Sequence, residues 1–222
     1  MKLLNALHFG LWSARHDRHR PVSESLALLW QHPAVRQELV ELFGLLEDHA
    51  AHVAVPLADV ARWEESVPLT VHSRYRLDDI LSAFGLMTPE KPHRLREGVK
   101  YDPATRSDLF FVTSEKSEKY YSTTTRYRDY ALSPTLFHWE SQSTTTISSQ
   151  TGQRYLQQRK HGGHVFLFVR ELKKDGGVNQ AHTFLGPADC ESHSGERPIA
   201  IVWRLRTPMP ADLFQQAKVA VA

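Results

Sequence analysis

Apolar residues recur at spacings of three to four through Val35, Leu39, Phe43 and Leu46, which puts them on one face of a helix. Pro33 stands just ahead of this run, where a first-turn proline is tolerated. The opening residues Met1–Leu7 also read as the start of a helix. A short helix is predicted over Leu57–Trp63, between Pro56 and Pro68. Another is predicted over Leu77–Phe84, where Leu77, Ile80, Leu81 and Phe84 form the stripe and Gly85 supplies the stop. Residues 86–97 hold two prolines and mixed charge and read as a loop. From Gly98 the pattern changes to that of strands, predicted at Gly98–Tyr101, Leu109–Thr113, Phe137–Glu140, Thr144–Ser148, His164–Leu172, His182–Leu185 and Ile199–Arg206. The unbroken apolar run Val165–Val169 marks a central strand buried on both faces. Lys173-Lys174-Asp175-Gly176-Gly177 is a turn, and Pro208 and Pro210 end the last strand before a closing helix over Ala211–Val219. The expected class is α+β: a helical segment over residues 1–66, then a β-rich domain over 67–222. The short, evenly spaced strands favour a mostly antiparallel, curved barrel or sandwich with flanking helices over a parallel α/β sheet.

Composition narrows this picture. Hydrophobic residues make up 41% of the 222, enough to bury a core. The single cysteine, Cys190, excludes a disulfide framework and fits a reducing cytoplasm. The N-terminal apolar run is broken by Asn5 and His8 and lacks a small-residue cleavage site, so it is not expected to be a signal peptide. No apolar run approaches the roughly 18 residues of a membrane span, and no membrane association is expected. Residues 1–66 carry six Lys/Arg against nine Asp/Glu; residues 67–222 carry 21 against 16. The basic part suits an anionic polymer, although such an excess is also ordinary for a chain of this length.

Several kinds of chemistry are missing. There is no Gly-x-x-x-x-Gly-Lys-Ser/Thr phosphate loop and no Gly-x-Ser-x-Gly elbow. The pairs His16/His19, His49/His52 and His161/His164 lack the companion ligands of a zinc site and read as surface or structural. Cys190 reads as a small buried thiol. No cofactor and no metal are expected.

Residues 120–161 carry the candidate chemistry. Arginines, aromatic rings, hydroxyls, an amide and carboxylates are interleaved there, the groups that grip nucleic acid. Tyr127, Tyr130 and Trp139 are candidate stacking walls, with His138 beside them. Asp129 and Gln142 are candidate readers of a base edge, since a carboxylate accepts from a cytosine amine. The alternative is that these rings belong to the core or the sheet surface. Arg126, Arg128 and Arg154 are candidate backbone contacts, together with Arg74 and Arg76 in His72-Ser73-Arg74-Tyr75-Arg76, where a cation ahead of a helix opposes the dipole.

Particular blocks add a resemblance. They are Leu69–Tyr75, Asp108–Thr113, Arg126–Ala131, Leu136–Gln142, Phe168–Glu171, Phe184–Ala188, Gly195–Pro198 and Trp203–Leu205. Across roughly residues 67–210 the chain resembles the C-terminal domain, of unknown function, of large bacterial proteins that join a phospholipase-D-type nuclease to a superfamily II helicase. Some of those are type IV restriction enzymes that cut DNA carrying methylated or hydroxymethylated cytosine. The resemblance implies an SRA-like curved barrel that flips the modified base into a pocket. Residues 1–66 resemble the region that couples helicase to this domain. Neither nuclease nor helicase occurs in these 222 residues, so a standalone reader, a split subunit and a truncated remnant are all open.

The expectation is therefore a non-catalytic module that reads modified cytosine in double-stranded DNA for a restriction or helicase system. A scaffold docking a separate helicase or nuclease through the acidic 35–65 region is the alternative. A metal-dependent nuclease built on Asp129, Glu140, Glu171, His138, His161 and His164 ranks last.

Overall fold

The apolar run Val165–Val169 lies in the interior of a strand, His164–Arg170, whose five central residues are all buried. The fold is that of a computed structural model, which describes residues 1–12, 17–48, 55–56, 67–93, 95, 98–114 and 129–218. Helices α1 (Lys2–Leu11), α2 (Val22–Gln31) and α3 (Pro33–Asp48) open the chain. Two-residue strands β1 (Val55–Pro56), β2 (Thr70–Val71) and β3 (Arg74–Tyr75) lead to α4 (Leu77–Ala83). Strands β4 (Val99–Asp102), β5 (Ser107–Thr113), β6 (Tyr130–Ser133) and β7 (Leu136–Glu140) follow, then helix α5 (Gln150–Leu156). After β8 (His164–Arg170) comes the small hairpin β9 (Lys174–Asp175) and β10 (Val178–Asn179). Strands β11 (His182–Ser194) and β12 (Ala200–Leu205) and helix α6 (Ala211–Ala217) close the described chain.

The main sheet has eight strands in the order β4-β5-β8-β11-β12-β7-β6, with β3 paired to the start of β11. It is mixed: β5 and β8 are parallel and the other pairs antiparallel. It does not close into the expected barrel, because β4 and β6 stand at opposite ends and do not pair. The thirteen-residue β11 supplies the reason. Its first half pairs with β8 and its second half with β12, with Ala188 opposite both Val165 and Leu205. The two halves of the sheet are thus displaced along β11.

Each face has its own core. On one, Ile80 and Ala83 of α4 and Phe84 just after it meet Leu109, Phe166, Phe168 and Phe184. Phe9 of α1 extends that layer through Leu81 and Met87. On the other, Tyr155 of α5 and Leu213 and Ala217 of α6 meet Phe110, Val112, Leu167, Trp139 and Trp203. The N-terminal helices are tied on by polar contacts too: Arg76 donates to the Phe9 carbonyl at 2.9 Å, and Arg18 pairs with Asp78. No helix among the described residues is long and apolar enough to cross a membrane.

Most expected elements are present within a residue or two. Thr144–Ser148 is a correction: the segment turns, with Ser149 Oγ donating to the Thr146 carbonyl at 2.7 Å and Thr145 Oγ1 to Gln142 Oε1 at 3.3 Å. Hydroxyls that bond locally compete with strand pairing. Helices α2 and α5 and strand β6 are additions to the expected set. The helix expected at Leu57–Trp63 lies outside the described residues.

Candidate nucleic-acid interface

Register decides where the expected pocket residues go. Tyr130 pairs with His138, His138 with Val202, and Val202 with Ser192. These four share one face of the sheet, since a strand alternates its side chains. The rings of Tyr130 and His138 stack with centroids 4.9 Å apart and planes 24° apart. Both are half-buried, and neither belongs to a core cluster of the described residues.

Trp139, one residue on, faces the other way. It is 5% exposed and lies against Phe110 at 4.4 Å and Tyr155 at 5.7 Å between centroids. Its ring is core, the alternative weighed from the sequence. Asp129 is buried, and its Oδ1 accepts from the Glu140 backbone N–H at 3.1 Å, which ties β6 to β7. Gln142 accepts from Thr145 in the following turn. Arg126, Tyr127 and Arg128 lie outside the described residues. Among the described residues the expected pocket is thus divided: Trp139 and Asp129 are buried, while Tyr130, His138 and Gln142 are half-buried.

The expected backbone arginines divide too. Arg154 grips buried Asp108 with two hydrogen bonds of 2.7 and 2.9 Å and lies 4.0 Å over the Tyr101 ring, so it holds α5 to the sheet. Arg76 bonds Asp79 and the Phe9 carbonyl at the start of α4. Arg74 is exposed beside β11.

The sequence analysis passed over three other arginines. Arg204 stands opposite Leu136 and Asp189, in the same-face row next to that of His138, roughly 7 Å along the strand. Arg206 donates to both oxygens of Asp189 at 3.0 Å, and Arg159 reaches the same carboxylate at 2.6 Å. Gln158 completes the shell of Asp189 at 3.2 Å. Burial alone would raise the Asp189 pKa; the hydrogen bonds from Arg159 and Arg206 outweigh it and hold the carboxyl well below the usual range. Glu191 forms a two-bond pair with Arg204 at 2.7 and 2.6 Å. Arg159, Asp189, Arg204 and Arg206, with Gly162, Gly163 and His164, line an open depression of about 590 Å³. Burial, and then Arg206, push the His164 imidazole pKa down, which keeps it neutral there.

The three cations Arg159, Arg204 and Arg206 exceed the two carboxylates that they pair with, Asp189 and Glu191. Asp189 fixes the guanidinium planes, while Arg159 remains 71% exposed at its side chain. The signal was present in Trp203-Arg204-Leu205-Arg206: in a strand, that alternation puts both arginines on the face opposite Trp203 and Leu205. Among the described residues no group of three or more His, Cys, Asp or Glu is placed to hold a metal ion. Cys190 is half-buried against the core, and burial followed by Glu191 raises its thiol pKa.

A search among curated proteins found no match. Residues 69–217, about two thirds of the chain, match the family model described as "Domain of unknown function (DUF3427)", and the chain belongs to that family.

Proposed function

We propose that the chain is a DNA-recognition module, without catalysis of its own, that holds duplex DNA on the face of β12, β7 and β6 that carries Arg204 and His138. One observation carries this reading: Arg159, Arg204 and Arg206 stand on the same face as the stacked Tyr130–His138 pair. Planar guanidiniums suit phosphate oxygens, and a ring pair at a surface offers a stacking partner to a base. Modified cytosine as the feature read, an SRA-like way of reading it and a nuclease–helicase partner rest on the family resemblance drawn from the sequence blocks. An electrophoretic shift with methylated, hydroxymethylated and plain duplexes of one sequence tests the proposal. Tighter binding of a modified duplex is expected; equal binding to all three removes the modified-base claim and leaves a general DNA binder.

A second reading has its own observation. None of the sixteen residues of α3 is buried, and Val40, Phe43, Leu45 and Leu46 are all more than half exposed. An apolar helix left open in this way suits a protein partner. This docking role is compatible with DNA binding on the sheet.

A further inference from the structure

Val35, Leu39, Leu42 and Leu46 of α3 follow one another at spacings of four, three and four. That is the seam along which one helix packs against another. Phe43 widens it. Val35, Leu42, Phe43 and Leu46 are between 46% and 60% exposed, and Leu39 is half-buried. At sixteen residues the helix is roughly 24 Å long, enough to seat a partner helix of similar length.

The charges on α3 say what such a partner must carry. Glu38, Glu41, Glu47 and Asp48 are all exposed. The one arginine of the helix, Arg36, is turned back on α2: its guanidinium donates to the Leu29 carbonyl at 3.2 Å and to that of Trp30, and lies 5.1 Å from the centre of the Trp30 ring. Glu47 and Asp48 fall in the last turn, which has no basic residue. The helix dipole disfavours carboxylates at that end and favours cations. Cations brought by a partner complete what the helix lacks.

The seam runs into a second acidic surface. Leu46 lines the cleft of about 990 Å³ at the end of β8, together with Leu172, Leu213, Glu171, Asp175 and Asp212. The three carboxylates are exposed. Arg74 and Arg170 line the same cleft, but Arg170 already donates to Thr113 and to the Gln180 carbonyl. A second copy of the chain suits this surface poorly, since pairing α3 with itself sets four carboxylates against four, with a single turned-back arginine on each helix.

We propose that α3 and the acidic rim at its end bind an amphipathic helix of another protein, apolar at the seam spacing and bordered by lysine or arginine. Apolar contacts along Val35, Leu42, Phe43 and Leu46 supply the adhesion, and the carboxylates choose the sign of the partner's charge. The proposal rests on the reading of α3 as a protein-docking surface and adds the chemistry of what docks.

Fluorescence anisotropy on the full chain tests it with two labelled synthetic helices of about 16–18 residues, matched to the length of α3. One has leucine at the seam positions and lysine elsewhere; the other has leucine and glutamate. At physiological salt the lysine helix binds about tenfold more tightly, or better, than the glutamate helix. Leu42→Gln with Leu46→Gln weakens that binding about tenfold with an unchanged unfolding midpoint. Glu38→Lys, Glu41→Lys and Glu47→Lys together abolish or reverse the preference between the two helices. Equal binding of both helices, full affinity in the leucine variant or an unchanged preference in the lysine variant overturns the proposal. So does a dimer of the chain, seen by sedimentation and dissolved by the leucine variant, which would make a second copy the occupant. Equal binding that is lost in the leucine variant leaves α3 a docking surface without charge selection, whereas no binding of either helix removes the docking reading itself.

Discussion

Trp139 sits one residue from His138, and strand alternation alone sends the two rings to opposite faces. An indole enclosed by Phe110 and Tyr155 contributes to stability first. Trp139→Ala is expected to destabilise the fold by about 3–5 kcal/mol in urea unfolding; a loss below about 1 kcal/mol would contradict its core assignment. Arg154→Ala leaves Asp108 buried without its partner and is expected to cost a similar ~3–5 kcal/mol. It should leave the DNA affinity of the folded fraction unchanged, which active-fraction titration can check. His182 titrates differently. It is 2% exposed, neither ring nitrogen has a hydrogen-bond partner among the described residues, and burial, followed by the charge of Arg170, pushes its pKa down to about 3. The folded value lies below the unfolded one near 6.5, so the unfolded chain takes up the proton first. The stability tied to this group is fully present above about pH 6.5 and is lost as pH falls towards 3. Thermal unfolding of His182→Leu is expected to show a flatter decline between pH 7 and 5 than the unsubstituted chain; parallel profiles would contradict the assignment.

Helix α5 shows how an element can be built by one glycine and one cap. Ser149 Oγ accepts from the Gly152 N–H at 3.0 Å, and a Cβ at Gly152 would come within 2.1 Å of the Thr146 carbonyl oxygen. Gly152→Ala is therefore expected to displace α5 from its turn and lower the unfolding midpoint by several degrees, whereas Ser149→Ala costs about 1 kcal/mol. Circular dichroism melts of the two variants check both. These local devices are also where the sequence was hard to read. Residues 144–148 have the β-branched composition of a strand, but their hydroxyls bond within the turn. Strand β11 was expected to end at Leu185, before Gly186-Pro187. It continues because Gly186 takes a φ of 88° at a bulge, and the sheet carries on beyond it. Periodicity did locate α3, α4 and β8, because each presents a continuous apolar face or run. It does not encode which strand lies beside which, so the parallel β5–β8 pair and the open sheet were not legible. The site was half legible for the same reason: Tyr130 and His138 were found by composition, and Arg159 joins Arg204 and Arg206 only through tertiary structure around Asp189.

At the scale of the whole molecule, function is divided between surfaces. Arg204 and His138 lie on the face of the sheet opposite Trp203 and Trp139, and α3 presents apolar side chains that are more than half exposed, with Leu46 beside the cleft at the end of β8. Leu42→Glu together with Leu46→Glu is expected to leave the unfolding free energy within about 0.5 kcal/mol, as for exposed positions; a loss of several kcal/mol would mean that α3 is packed in solution. The central claim is that Arg159 and Arg204 hold DNA phosphates. Their side chains are 71% and 48% exposed, and with Arg159 replaced Arg206 still pairs with Asp189. The most direct measurement is duplex affinity across a salt series for the unsubstituted chain and for Arg159→Gln/Arg204→Gln. The account predicts weaker binding to every duplex and a plot of log affinity against log salt that is shallower by about 2, close to 0.9 per phosphate contact removed. The same affinity and the same slope in both proteins would contradict it.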